Sequence, residues 1–171
     1  ADDITLKILP RDVTIQVTDA EKFFDKQDPA FSGTVSGLVK AGDIGTVTYF
    51  RENTAEEVGK YPEVLSADYT QNDNYTVYVK KGNFEIKTAT MEGASLEAAG
   101  GSWTYDGETH YAQAKLTNAD GYTIYYQVGN GEWKKEIPGV TNVSEGELTV
   151  SVKAVKDGYV DLVTEDVKLV I

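Results

Sequence analysis

The chain of 171 residues contains no cysteine, one histidine, one methionine and four prolines. Without cysteine there is no disulfide, no thiolate metal site and no cysteine nucleophile, and the disulfide-dense class of small secreted scaffolds is excluded. Positive charge is also scarce, with 16 Lys and Arg against 28 Asp and Glu for a net charge of −12. A surface of that sign repels phosphate backbones and anionic headgroups, which argues against nucleic acid as a partner and against membrane binding. No stretch reaches the roughly 18 apolar residues of a membrane span. No signal-like pattern stands at the N-terminus. From "ADDITLKIL" to "EDVKLVI" the chain shows neither linker nor tail, and it reads as a segment cut from something longer.

Helix signals are few. "NTAEEVG" (53–59) carries a capping-box pair, Thr54 with Glu57, but Gly59 ends it after about one turn. "DAEKFFDKQDP" (19–29) is expected to hold a short helical turn before Pro29.

A period of two, in contrast, runs through the whole chain. "VTIQV" (13–17) sets Val13, Ile15 and Val17 against polar neighbours. "YTVYVK" (75–80), "NFEIK" (83–87), "AQAKL" (112–116), "YTIYYQV" (122–128) and "LTVSVKAV" (148–155) do the same. Such alternation buries one face of a strand and wets the other, the mark of antiparallel sheets covered on one side. Between the runs lie Asp106-Gly107, Asp120-Gly121, Asn130-Gly131 and Asp157-Gly158, dipeptides that accept the positive backbone angles of tight turns. Many short strands at this spacing predict a sandwich or barrel.

The length suits two domains of about 80 to 90 residues, and a loose internal repeat places the boundary. "DDITLKI" (2–8), "GNFEIKTA" (82–89) and "EDVKLVI" (165–171) each read as the closing strand of a domain. The parse is a first domain over 1–88 and a second over 89–171. Residues 1–9 are then an opening strand or the last strand of an upstream repeat.

Residues 12–87 resemble the MBG repeat of bacterial cell-surface proteins. The matching elements are Lys22, Phe24, "DPAF" (28–31), "TVSGL" (34–38), "GD" (42–43), Arg51, "EEVGKY" (56–61), "NYTVYV" (74–79) and "GNFEI" (82–86). Asp25 departs from the pattern, since the family places glycine after the aromatic. Residues 103–171 are similar to the YDG-type repeat through "YDG" (105–107), His110, "GY" (121–122), Asn130-Gly131, Trp133, Pro138 and "LTVSVKAVKDGY" (148–159). There Leu148 stands in place of the usual tyrosine. The two resemblances imply an all-β protein of two tandem immunoglobulin-like β-sandwich domains, mostly antiparallel with little helix. They also imply a place in arrays of such domains in large bacterial surface or secreted proteins.

The search for chemistry begins at His110 in "SWTYDGETHYA" (102–112). An acid–base histidine needs an orienting partner and a nucleophile in reach. Asp106, Glu108 and Thr109 are near in sequence, but no Gly-x-Ser-x-Gly elbow is present and a threonine beside a histidine signals no nucleophile. The expected role of His110 is to begin a strand after the Asp106-Gly107 turn. Aromatic residues could stack on sugar rings, which singles out Trp103, Tyr122, Tyr125, Tyr126 and Trp133 as possible ligand-binding positions. The alternation assigns Tyr122, Ile124, Tyr126 and Val128 to one face and Tyr125 with Gln127 to the other, so part of the set is expected to be core.

Asp19 with Glu21, Asp25 with Asp28, Asp68 with Asp73 and Glu145 with Glu147 form acidic pairs. None has the glycine and distal glutamate of a calcium loop, and a solvated acidic surface accounts for them. Lysines 7, 80, 115 and 153 with Asn83 and Asn118 are the materials of a lysine–asparagine isopeptide bond, but Lys80 and Lys153 are expected to face water. Arg51 and Glu57 are expected to pair across a loop. No catalytic, metal or cofactor set emerges. The expected function is a non-catalytic spacer or stalk segment outside a bacterial cell, whose partners are neighbouring repeats of the same polypeptide. The alternative is an adhesin or carbohydrate-binding module, with a host protein or glycan as partner.

Overall fold

The computed structural model describes residues 5–171. The chain divides into two compact units, unit 1 ending at Lys87 and unit 2 running from Thr88 to Ile171. Apart from one short 3₁₀ turn, the regular elements among the described residues are strands. Of the anticipated strand over 1–9, residues 1–4 lie outside the described residues, and residues 5–10 join no strand.

Unit 1 contains β1 (Arg11–Val17), β2 (Ala20–Phe23), β3 (Gly33–Ser36), β4 (Thr48–Arg51), β5 (Gly59–Asp68), β6 (Tyr75–Lys80) and β7 (Gly82–Lys87). They form two sheets, ordered β3-β1-β6 and β2-β7-β5-β4. Alternation along β1 sends Val13, Ile15 and Val17 into a core completed by Ile44, Leu65, Phe84 and Ile86. Phe31 meets the Phe84 ring edge-on at 5.7 Å, a favoured aromatic geometry. The first and last strand pairs are parallel: β1 runs with β6 and β2 with β7.

Both of these paired segments therefore change sheets together, at Thr18–Asp19 and at Lys81. The crossing brings backbones into contact, because a Cβ on Gly82 would lie 2.9 Å from the Thr18 carbonyl oxygen. Glycine is required there for close approach rather than for backbone freedom. Asn83 secures the crossing. Its N–H donates to Asp19 Oδ1 at 2.6 Å and its Oδ1 accepts the Glu63 N–H at 3.0 Å. Glu63 sits at φ 52 in an irregularity that shifts the β5–β7 register.

Unit 2 contains β8 (Ser95–Ala99), β9 (Gly101–Ser102), β10 (His110–Tyr111), β11 (Gln113–Thr117), β12 (Thr123–Val128), β13 (Gly139–Val140), β14 (Leu148–Val155), β15 (Leu162–Val163) and β16 (Val167–Val170). The principal sheet is ordered β12-β14-β16-β9, with β15 also on β14, and β8 with β11 and β10 with β13 form two-stranded pairs. Val150, Val152 and Leu169 fill the core with Val140, Tyr126 and Ala112. Leu148, where the YDG-type pattern has tyrosine, packs its apolar side chain on this cluster. Most strand pairings among the described residues are antiparallel, and in unit 2 β9 runs parallel to β16 and Ala89 makes a single parallel bridge to Tyr159.

Neither anticipated helix forms. Residues 20–23 are β2, followed by a turn in which Asp25 takes φ 60. Asp25 thus holds the left-handed conformation for which glycine is the usual choice, which aspartate tolerates better than most residues. The 53–59 segment is irregular because Glu56 is drawn to cations on β2 and β4 and because Gly59 already begins β5.

Candidate functional site

The most concentrated chemistry lies in unit 1. β2 has its buried register at position 22, so a lysine points inward and is only 7% exposed. Its Nζ lies 2.9 Å from Asp28 Oδ1 and also contacts Glu56 Oε2. Arg51, at the end of β4, grips Asp28 with Nε at 2.8 Å and Nη2 at 3.2 Å. Its Nη2 also donates to Glu56, and its Nη1 to Asn53 Oδ1 and the Ala55 carbonyl. The guanidinium carbon lies 4.8 Å from the centre of the Phe84 ring, so the ion cluster rests directly on the core.

Two buried cations face two carboxylates that retain water, with side-chain exposures of 30% for Asp28 and 58% for Glu56. Burial pulls the Lys22 pKa down, but the hydrogen bonds to Glu56 and Asp28 outweigh it and leave the ammonium above its ordinary value. Burial pushes Asp28 up, and its bonds to Lys22 and Arg51 overcome this to hold the carboxyl below its usual range. Glu56 is lowered by its bonds to the same two cations. All four groups are therefore charged at neutral pH, and each is occupied by the others. The cluster ties β2, the Asp28 loop, the end of β4 and the 53–57 segment together. It presents no free nucleophile or base.

This geometry corrects the expected Arg51–Glu57 pair. The carboxylate that meets Arg51 is Glu56, while the Glu57 carbonyl accepts the Tyr61 hydroxyl at 2.7 Å. Sequence reasoning noted Lys22, Asp28 and Arg51 separately as parts of a motif. The missed signal was a lysine on the inward register of a short strand, which must bring acids with it.

His110 begins β10, and more than the backbone holds it. Its ring stacks on Trp103 at 4.5 Å and 13°, and its Nε2 lies 3.1 and 3.2 Å from the two Asp106 oxygens. Asp106 also accepts the Glu108 N–H at 2.9 Å, which lowers its pKa together with the His110 contact. Thr109 is occupied with Thr141, their hydroxyls 2.8 Å apart. The imidazole thus fastens a turn to the edge of the core.

The five aromatic candidates do not converge. Tyr126 is buried in the core, and Trp103 packs against the same cluster beneath His110. The Tyr122 hydroxyl donates to the Val160 carbonyl at 2.8 Å, pinning a loop. Tyr125 and Trp133 share the outward face of β12–β14, where Tyr125 pairs in register with Lys153. The Lys153 Nζ lies 4.4 Å from the Trp133 ring centre and the Lys135 Nζ 5.7 Å from that of Tyr125.

Members of three of the four acidic pairs are engaged by other groups. Glu21 meets Lys87 and Glu147 meets Lys168. Glu145 accepts the N–H groups of Thr141 and Asn142 at the start of the 3₁₀ turn Val143–Glu145. Among the described residues no group of three or more His, Asp or Glu is placed to hold a metal ion. Of the isopeptide materials, Asn83 is bound to Asp19, Asn118 donates to the Gly93 carbonyl, and Lys80 and Lys115 are exposed. An open groove of about 660 Å³ lies at the β5–β7 irregularity over Tyr61 and Pro62, but Asp19 and Asn83 on its wall already bond one another.

Comparison with known proteins finds a similarity over part of the chain. Residues 13–85 match the MBG domain family of the YGX type. No curated protein matches the chain. A solved structure described as fibronectin(III)-like modules of Clostridium thermocellum CbhA aligns at 16% identity and TM-score 0.36 over 93% of each chain.

Proposed function

We propose that this chain is a non-catalytic spacer segment of a multidomain bacterial protein displayed on the cell surface or secreted. On this reading unit 1 is an MBG-type domain and unit 2 a YDG-type immunoglobulin-like repeat, and neighbouring repeats of the same polypeptide are their partners. The observation that carries the reading is the fate of the polar motif residues. Lys22, Asp28, Arg51 and Glu56 are spent on one another, and every N–H of the Arg51 side chain points at an acceptor within the unit. Groups kept for a ligand would be left open toward solvent. Groups kept for mechanical closure would be satisfied internally and set on the core.

Stretching the single chain between handles tests this. The expected record has two unfolding events, each lengthening the chain by about 3.3–3.6 Å per residue of one unit. Lengthening at low force without discrete events would remove the spacer reading.

A second reading is supported by one feature, the pair Tyr125 and Trp133 on a common outward face, with Trp133 37% exposed. Two rings at a sheet surface suit a sugar or a host protein. Binding on a glycan array that disappears in Trp133→Ala would establish this second function. An empty array leaves the spacer.

A further inference from the structure

We propose that residues 5–9 belong to the last strand of a further sandwich of the unit 2 type, carried on the N-terminal side of unit 1 in the same polypeptide. The starting observation is an apolar segment without cover. Leu6 is 91% exposed, Ile8 95% and Leu9 68%, although Leu6 and Ile8 alternate with Thr5 and Lys7 as in a half-buried strand. Isolated exposed apolar residues are ordinary, but an alternating run of them is an unpartnered strand face.

The kind of partner is written in unit 2. "DDITLKI" (2–8) aligns without gaps on "EDVKLVI" (165–171), with Asp3, Leu6 and Ile8 identical to Asp166, Leu169 and Ile171. In unit 2 this segment forms β16, which pairs Leu169 with Leu148 on one side and with Gly101 on the other. Leu169 is fully buried, and Val167 and Ile171 pack on the same core. Gly100 is part of the cradle, since a Cβ there would fall 2.0 Å from the Lys168 carbonyl oxygen. Leu6 and Ile8 supply the same apolar steps that Leu169 and Ile171 supply to unit 2.

A partner of the unit 1 type fits less well. Its closing strand β7 depends on Gly82 at the sheet crossing and on Asn83 bonding Asp19. The aligned positions here are Asp2 and Asp3. Pro10 then marks the junction. It cannot donate to a ladder, and β1 of unit 1 starts immediately after it, with the Arg11 N–H on the Asn74 carbonyl. The order of modules across this junction is therefore unit 2 type, unit 1, unit 2.

The inference rests on the array reading above, and its test stands apart from that reading. Residues 88–163 are joined to Ala1 of the full chain, so that residues 2–8 follow where 165–171 follow in unit 2. Calorimetry is expected to show a second copy of the unit 2 transition, and amide exchange at Leu6 and Lys7 to slow by about a thousandfold or more. Leu6→Glu with Ile8→Glu should abolish the added transition in the fusion and leave the melting of the unfused chain unchanged. Residues 11–80 joined in the same way should remain unfolded. The proposal is overturned if the first fusion gains no transition, if the paired substitutions leave the added transition in place, if they alter the unfused chain, or if the 11–80 fusion folds as well. A glycan hit would remove the spacer reading without touching this strand assignment.

Discussion

Unit 1 sets two cationic side chains against its core, Lys22 and Arg51, each with a side chain less than a tenth exposed. Unit 2 buries no lysine, arginine or carboxylate among the described residues. Its irregular segments are held at the surface instead, by His110 on Trp103 and Asp106 and by Glu145 on two backbone N–H groups. Both cores are closed by alternating aliphatic residues, so the difference lies in how the loops are fixed. Removing one partner of a buried ion cluster strands a charge, whereas removing an exposed contact returns its partner to water. The two units should therefore separate under the same perturbation.

The largest effects come from the cores, where the units should behave alike. Phe84→Ala is expected to cost unit 1 about 3–5 kcal/mol and Leu169→Ala to cost unit 2 about 2–5 kcal/mol. Each should appear in calorimetry as the loss or steep fall of one transition while the other stays in place. Movement of both transitions by either change would break the description of two separately closed cores.

Next comes the ion cluster. Asp28→Ala leaves Lys22 and Arg51 with Glu56 alone. The expected cost is about 2–3 kcal/mol, reduced from the 3–5 of a fully buried pair because Asp28 keeps some water. Glu56 is more exposed, and Glu56→Ala should cost about 1 kcal/mol or less. Chemical denaturation of the two variants checks the order. An equal effect would mean that burial does not set the strength of this cluster.

Acid should sharpen the contrast. Asp28 and Glu56 have folded-state pKa values below their ordinary 3.8 and 4.5. Their contribution is present above those values and is lost as pH falls through the folded-state values, so unit 1 should weaken progressively below about pH 4.5. Asp106 and Glu145 are lowered too, first by backbone N–H groups, but they lie at the surface and unit 2 should respond less. Alkali should not discriminate. Lys22 in unit 1 is raised by its carboxylate partners against the pull of burial, and Tyr126 in unit 2 is raised by burial. Both contributions hold below the ordinary values and fade as pH climbs through the folded-state ones.

An effect comparable to that of Glu56→Ala belongs to His110→Ala, which removes one stacked ring and one contact to Asp106. About 0.5–1.5 kcal/mol should be lost from unit 2 alone, read as a shift of its melting midpoint. A larger loss, or any change in unit 1, would mean that His110 does more than fasten the turn.

Much of the strand pattern was legible in the sequence. β6 and β14 occupy the same residues as the alternating runs that announce them, because one buried face imposes period two on side chains. In the 19–29 segment pairing of β2 with β7, and Lys22 turning inward to its acids, replace the helical turn expected before Pro29. The parallel outer pairs and the joint sheet change at Thr18–Asp19 and Lys81 were invisible, since they are set by partners some 60 residues away. The ion cluster was half legible. Its members stood out as motif positions, but spacing does not reveal that Lys22, Asp28, Arg51 and Glu56 meet. That Arg51 takes Glu56 and leaves Glu57 is decided by the path of an irregular segment, which carries no periodicity.

The most direct measurement is calorimetry of the wild-type chain and Asp28→Asn at pH 7 and again near pH 2. The substitution should lower only the unit 1 transition at pH 7, and the gap between the two proteins should narrow toward acid as the pH falls toward the lowered Asp28 value. An Asp28→Asn protein as stable as wild type at pH 7, or a deficit that persists undiminished in acid, would contradict this.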